Sequence, residues 1–127
     1  MKDFIISFLV VAVLTGCWLF FDSFSKIEVT AMADTIENTI IPYVESESWP
    51  DAQSALKKLN EEWHSYRRIA HLFLDAENIN EIDSQLARTI EYTQAADVSN
   101  TSGELNSIAD QLRLLHSREK ITLGNIF

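Results

Sequence analysis

The run Phe4–Phe21, FIISFLVVAVLTGCWLFF, holds 18 consecutive residues without a charge. About 20 apolar residues in a helix cross a hydrocarbon core of about 30 Å. A backbone inside lipid must satisfy its own hydrogen bonds, so the run is predicted to be a transmembrane helix. Ser7 and Thr15 return their hydroxyls to the helix backbone, and Trp18 near the outer end suits an interfacial aromatic. Lys2 and the amino terminus precede the run, which favours a cytoplasmic N-terminus and an exported remainder, although Asp3 offsets part of that bias. The sequence therefore divides into an anchor, residues 1–24, and an extracytoplasmic acidic domain, residues 25–127. The same residues admit a rival processing. Leu14-Thr15-Gly16-Cys17 has the small-residue pattern of a lipoprotein signal, with Cys17 as the lipidated residue. Trp18-Leu19-Phe20-Phe21 continues the apolar run past that cysteine, where a polar tether is the rule, so the uncleaved helix is preferred. Both readings put residues 25–127 on the outer face of a cell membrane.

The remaining hundred or so residues suffice for one modest core. Three glycines and two prolines in 127 residues argue for helix and against a sandwich or barrel. The formal charge of −9 falls almost wholly after the anchor, since only Lys2, Asp3 and Asp22 of the charged residues lie within residues 1–24. Such a surface repels nucleic acid and anionic headgroups. No nucleic-acid partner is expected, nor a domain lying flat on the bilayer. Cys17 is the single cysteine, so no intrachain disulfide can form.

Periodicity supplies the helices. Val29, Ala33, Ile36, Ile40 and Tyr43 fall at alternating four- and three-residue spacings, one helical stripe running out of the anchor. Pro42 is expected to kink that helix or end it nearby. Ser48 or Trp49 reads as the next cap, with Pro50 at the first helical position. Leu56, Leu59, Trp63, Tyr66, Ala70 and Phe73 form a heptad seam. Asn78 with Glu81 has the shape of a capping box ahead of Ile79, Ile82, Leu86, Ile90 and Thr93. Asp97 to Asn100 reads as a loop, and Thr101-Ser102-Gly103-Glu104 as a capping box before Leu105, Ile108, Leu112 and Leu115. Gly124 should stop the last helix. The predicted fold is all-α: an N-terminal transmembrane helix leading into a small antiparallel bundle of three to four helices.

Several stretches resemble one known family. Trp49-Pro50, Trp63, Ile79-Asn80-Glu81-Ile82-Asp83, Leu86-Ala87-Arg88, Asp97, Glu104-Leu105 and above all the ending Glu119-Lys120-Ile121-Thr122-Leu123-Gly124-Asn125-Ile126-Phe127 are similar to a bacterial family of short membrane-anchored proteins, domain of unknown function 4363. The resemblance covers the whole chain. It implies one N-terminal transmembrane segment and, through neighbouring genes, a multi-pass membrane protein as partner. It implies no activity and no catalytic residues.

Residue chemistry points the same way. His64 and His71 are two helical turns apart, about 10 Å, too far for one ion's shell. His116 suits a helix C-terminus. Asp75, Glu77, Glu81 and Asp83 crowd one turn, but the sixth and twelfth positions of a calcium loop counted from Asp75 hold Asn80 and Leu86. Ser65 and His64 point about 100° apart on a helix and make no nucleophile–base pair. No Gly-rich phosphate loop and no nucleophile elbow occur. Trp63 belongs to the core by its seam position, and Trp49 to a lid at a helix entry. Arg88 is expected to pair with Glu91, Glu81 or Asp83. The tail Ile121, Leu123, Ile126 and Phe127 is expected to close the base of the bundle rather than dock a partner. Accordingly, no catalytic, cofactor-binding or metal-binding residue is assigned. The expected function is a membrane-anchored, non-enzymatic interaction module that binds a membrane or envelope protein. Its alternative is a ligand-sensing bundle acting through a partner. A heptad seam also serves a second copy of the chain, so homo-oligomers are compatible with the sequence.

Overall fold

From Phe21 to Pro42 the chain offers neither Gly nor Pro, and the helix begun in the apolar run has no local reason to stop. The computed structural model describes the backbone of residues 1–72, 74 and 76–126, and the side chains through Leu115. In it a single helix, α1, runs over Lys2–Glu45, 44 residues. Three more helices follow: α2 (Trp49–Ala70), α3 (Ala76–Gln94) and α4 (Val98–Ile126). Each is packed against the next and α4 returns to α1, so the four close into an up-down bundle. There is no strand among the described residues. Phe73, Asp75, His116, Ile121, Leu123, Ile126 and Phe127, named above for seam, cluster, cap and tail, lie outside the described side chains.

Within α1, the turn Ile36–Ile40 widens to π geometry, with the Ile41 amide donating five residues back to Ile36. Pro42 follows at once. A proline inside a helix lacks an amide and its ring collides with the carbonyl four residues earlier, and a widened turn makes room for both defects. The helix then ends three residues later, as Pro42 suggested. The extra residue in the turn also shifts the register of the buried stripe. Tyr43, expected inside, is exposed, and Val44 takes the inward position.

The helix ends repeat one device. At Ser46–Ser48 the Ser48 amide reaches Tyr43 O (2.9 Å) and the Glu47 amide reaches Val44 O (3.0 Å); at 95–97 the Asp97 amide reaches Tyr92 O (3.0 Å) and the Ala96 amide reaches Thr93 O (3.1 Å). These are paired Schellman closures, each needing a left-handed residue. Glu47 (φ 57°) and Ala96 (φ 55°) occupy those places instead of glycine, at a cost of about 1 kcal/mol each. Of the two residues read as the next cap, Ser48 takes the N-cap position of α2, without a side-chain capping bond, and Pro50 stands second in the helix rather than first.

Two starts differ from the sequence reading. Helix α3 begins at Ala76, so Asn78 lies inside its first turn rather than at a cap. Helix α4 begins at Val98, and Asp97 is its cap: Oδ1 accepts from the Asn100 amide (3.1 Å) and Oδ2 from Asn100 Nδ2 (2.6 Å). Thr101, predicted to cap, is buried in the helix instead. The Asp97 carboxylate offers its acceptor at the right spacing three residues earlier, which leaves Thr101 nothing to cap. The backbone of α4 also continues through Gly124 to Ile126, since glycine weakens a helix by only about 1 kcal/mol and is no obligatory stop.

One core joins the four helices. It takes Phe21, Val29, Met32, Ala33, Ile36, Ile40 and Val44 from α1, and Ala52, Leu56, Leu59, Trp63, Tyr66 and Ala70 from α2. Ile79, Ile82 and Leu86 come from α3, and Leu105, Ile108, Ala109, Leu112 and Leu115 from α4. The described seam residues predicted for α2 and α4 are all buried. On α3, Ile90 is half-buried and the remainder are buried. Trp49 packs half-buried against the core at the entry of α2. Thr89 and Thr93 are buried by bonding back to the carbonyls of Gln85 and Thr89, both at 2.7 Å. Trp63, 1% exposed, sits at the centre. Trp63→Ala is expected to lower stability by about 3–5 kcal/mol, a large part of what a domain this size has. Thermal or urea melting checks it, and an unchanged midpoint would put Trp63 on the surface.

Candidate functional site

Polar contacts between helices account for most of the groups singled out above. Asp83 on α3 accepts from Trp63 Nε1 (2.6 Å) and pairs with Arg67 Nη2 (2.9 Å), both on α2. Trp63 therefore brings a large apolar body to the core and a polar edge to Asp83. Glu81 accepts from Gln111 (3.1 Å), Gln85 donates to Ser107 (3.0 Å), and Arg88 Nε donates to Glu104 (3.3 Å). Each step up α3 is matched by an equal step down α4, which fixes the antiparallel register of that pair. Arg88 was expected to bond within its own helix, to Glu91, Glu81 or Asp83. It reaches Glu104 instead because α4 lies beside it, while Asp83 is already held by α2.

Between α1 and α4, Arg113 forks onto Glu37 and reaches Asp34 (3.3 Å), one guanidinium answering two carboxylates a turn apart. The hydrogen bond from Arg113, with its charge behind it, holds the Glu37 carboxyl below its ordinary range, and Glu37 in turn raises Arg113. The amide and side chain of Asn100 hold Asp97 low in the same way. Between α1 and α2, the buried Ser25 and Tyr66 hydroxyls share a 2.6 Å hydrogen bond.

The carboxylates thus disperse to separate helical partners rather than converge. Among the described residues, no three metal-ligating side chains come together. His64 is exposed and donates from Nδ1 to the Asn60 carbonyl at 2.7 Å, and His71 is exposed in the turn after α2. Ser65 is exposed beside it and faces no base.

The surface carries two grooves of interest. One runs between α2 and α3, lined by Leu56, Lys57, Asn60, Ile90, Thr93 and Gln94. The other is almost wholly apolar and lies where the anchor enters the bundle, lined by Gly16, Cys17, Phe20, Phe21, Phe24 and Ile69. From it a line of ring contacts leads inward: Phe20 to Phe24 (6.3 Å), Phe24 to Tyr66 (6.2 Å), Tyr66 to Trp63 (5.7 Å). Sequence reasoning missed this groove, because Ile69 lies off the heptad seam and looks like an ordinary surface isoleucine. The signal available was its position two residues before the α2–α3 turn.

N-terminal to the groove, α1 is exposed on every side. Phe4, Phe8, Val11 and Leu14 are each more than 60% exposed. It is the one helix, among the described residues, that is long and apolar enough to cross a membrane.

Both depressed carboxylates bear on acid stability. A carboxyl whose folded pKa lies below its unfolded one stabilises the fold above the unfolded value and loses that contribution as pH falls through the folded one. Melting temperature is therefore expected to hold from pH 7 to about 5 and to fall below about 4.5, where carboxylates ordinarily protonate. Asp97→Asn, which keeps a capping acceptor but cannot titrate, should shrink the fall. An identical acid profile in that variant would remove Asp97 from the account.

No curated protein and no solved structure matches the chain. A family model does match, over residues 23–126, which is the bundle with little of the anchor. By that match the chain belongs to the family described as a domain of unknown function, DUF4363.

Proposed function

We propose that this protein is a membrane-anchored, non-enzymatic interaction module. In this reading the N-terminal helix crosses the cell membrane once, with Lys2 on the cytoplasmic side. The acidic bundle stands outside and engages a membrane or envelope protein, of which a multi-pass membrane protein is the first candidate. The observation that carries it is the shape of α1: apolar and uncovered on all sides from Phe4 to Cys17, half-buried at Trp18, then buried along one side from Phe21 onward in a closed bundle. A helix apolar all round fits lipid, and a helix apolar along one stripe fits a folded domain in water. Several polar side chains, among them Asp83, Arg88 and Arg113, hold the helices to one another, which supports positioning as their role.

A second reading, ligand sensing through a partner, finds support in the groove between α2 and α3. One experiment separates the two. The full-length protein is crosslinked mildly in its native membrane, purified, and weighed intact by mass spectrometry. The interaction module predicts a stoichiometric membrane-protein partner on an unprocessed chain. A bait without protein partner that retains a small molecule would favour sensing. Loss of residues 1–16 with lipid added to Cys17 would replace the transmembrane anchor by a lipid one.

A further inference from the structure

Resting on the reading of α1 as a membrane span, we propose that the end of the bundle where α2 closes, at Ile69 and Leu72, is itself a lipid-contacting surface, seated in the interfacial layer of the phospholipid leaflet. Depth is the first argument. Ile69 lines one groove with Gly16, Cys17, Phe20 and Phe21, so it lies level with residues of the apolar run. Counted from Phe4 at 1.5 Å per residue, Cys17–Phe21 lie about 20–26 Å along the helix, near the outer edge of a hydrocarbon core about 30 Å thick. An α2 side chain at that level cannot stand in bulk water while the anchor beside it is in lipid.

The second argument is what the end of the bundle exposes. Ile69 is 41% exposed and Leu72, in the turn itself, 79%. Both are apolar side chains that the described residues of the bundle leave exposed, and Ile69 adjoins α1 through the groove. Exposed cations lie near the same level: Arg68 precedes Ile69, and Lys26 lies on α1 about 9 Å beyond Phe20, at the depth of phosphate groups. Long basic side chains bury their stems against apolar surface and lift the charge to headgroup level. Contact confined to one end also suits an acidic domain, which anionic headgroups would repel if it lay on its side. The bundle would stand upright, fixed to the bilayer at α1 and at the α2–α3 turn.

The test uses the full-length chain in phosphatidylcholine nanodiscs, with Cys17→Ser so that one introduced cysteine carries an environment-sensitive fluorophore. Leu72→Cys is the probe site, Val10→Cys the reference inside the anchor, and Glu47→Cys the reference at the far end of the bundle. Leu72 is largely exposed, so the label should leave the melting temperature unchanged, and Ile69→Cys provides a second site. Quenching by lipid carrying a shallow nitroxide is expected to be at least threefold stronger at Leu72 than at Glu47. Quenching at Val10 with none at Leu72 or Ile69 overturns the proposal and leaves the anchor standing. No quenching at Val10 either overturns the anchor and this proposal together. A Leu72 label shielded from both lipid and aqueous quenchers, in proportion to the number of chains per disc, would assign the surface to a second copy of the chain and overturn the lipid contact.

Discussion

The structure depends on one helix that passes without a break from an uncovered apolar stretch into the bundle. From Phe4 to Cys17 α1 satisfies its backbone internally and exposes its side chains in every direction; from Phe21 it buries a single stripe. Nothing interrupts it at the changeover: Gly16 costs a helix only about 1 kcal/mol, and neither Gly nor Pro occurs between it and Pro42. Orientation of the bundle is therefore inherited from the anchor rather than set by a flexible tether. The π turn at Ile36–Ile40 is the only irregularity among the described residues of α1, and it lies well inside the bundle, where packing from the other helices holds it.

What closes the bundle around α1 is a set of polar contacts at matched levels over a shared apolar core. The α2 seam faces Asp83 through Trp63 and Arg67, α3 and α4 are registered by Glu81–Gln111, Gln85–Ser107 and Arg88–Glu104, and Arg113 ties α4 back to Asp34 and Glu37. The exposed pairs contribute little stability individually. Their effect is on choice of register, since sliding α3 past α4 by one turn would leave all three pairs unmade. Core and polar edge meet in Trp63, whose ring packs on Tyr66 while its indole N–H meets Asp83.

Helix number and most of the core were legible in the sequence because apolar residues recur with the period of a helix, and that signal survives wherever one face is buried. Leu56, Leu59, Trp63, Tyr66 and Ala70 could be placed in this way. Tyr43 could not, because the π turn inserts a residue that no periodic count anticipates. Helix starts were misread where two side chains competed to cap: Asp97 and Thr101 both suit the role, and only the tertiary position of α4 decides between them. Partners across helices were hidden for the same reason. Arg88 has acidic residues at good spacing on its own helix, yet the neighbour supplies Glu104. The groove beside Cys17 and Phe20 was least legible, since it joins residues some fifty positions apart and the isoleucine concerned belongs to no stripe.

The most direct measurement of the account is the distance across the junction between anchor and bundle. Spin labels at Val10 and Thr30, in the full-length Cys17→Ser protein in nanodiscs, would be read by double electron–electron resonance. One continuous helix predicts a single narrow distribution centred near 30 Å, at 1.5 Å per residue. A broad or shorter distribution would mean a hinge at the membrane surface and would contradict a bundle whose orientation the anchor sets.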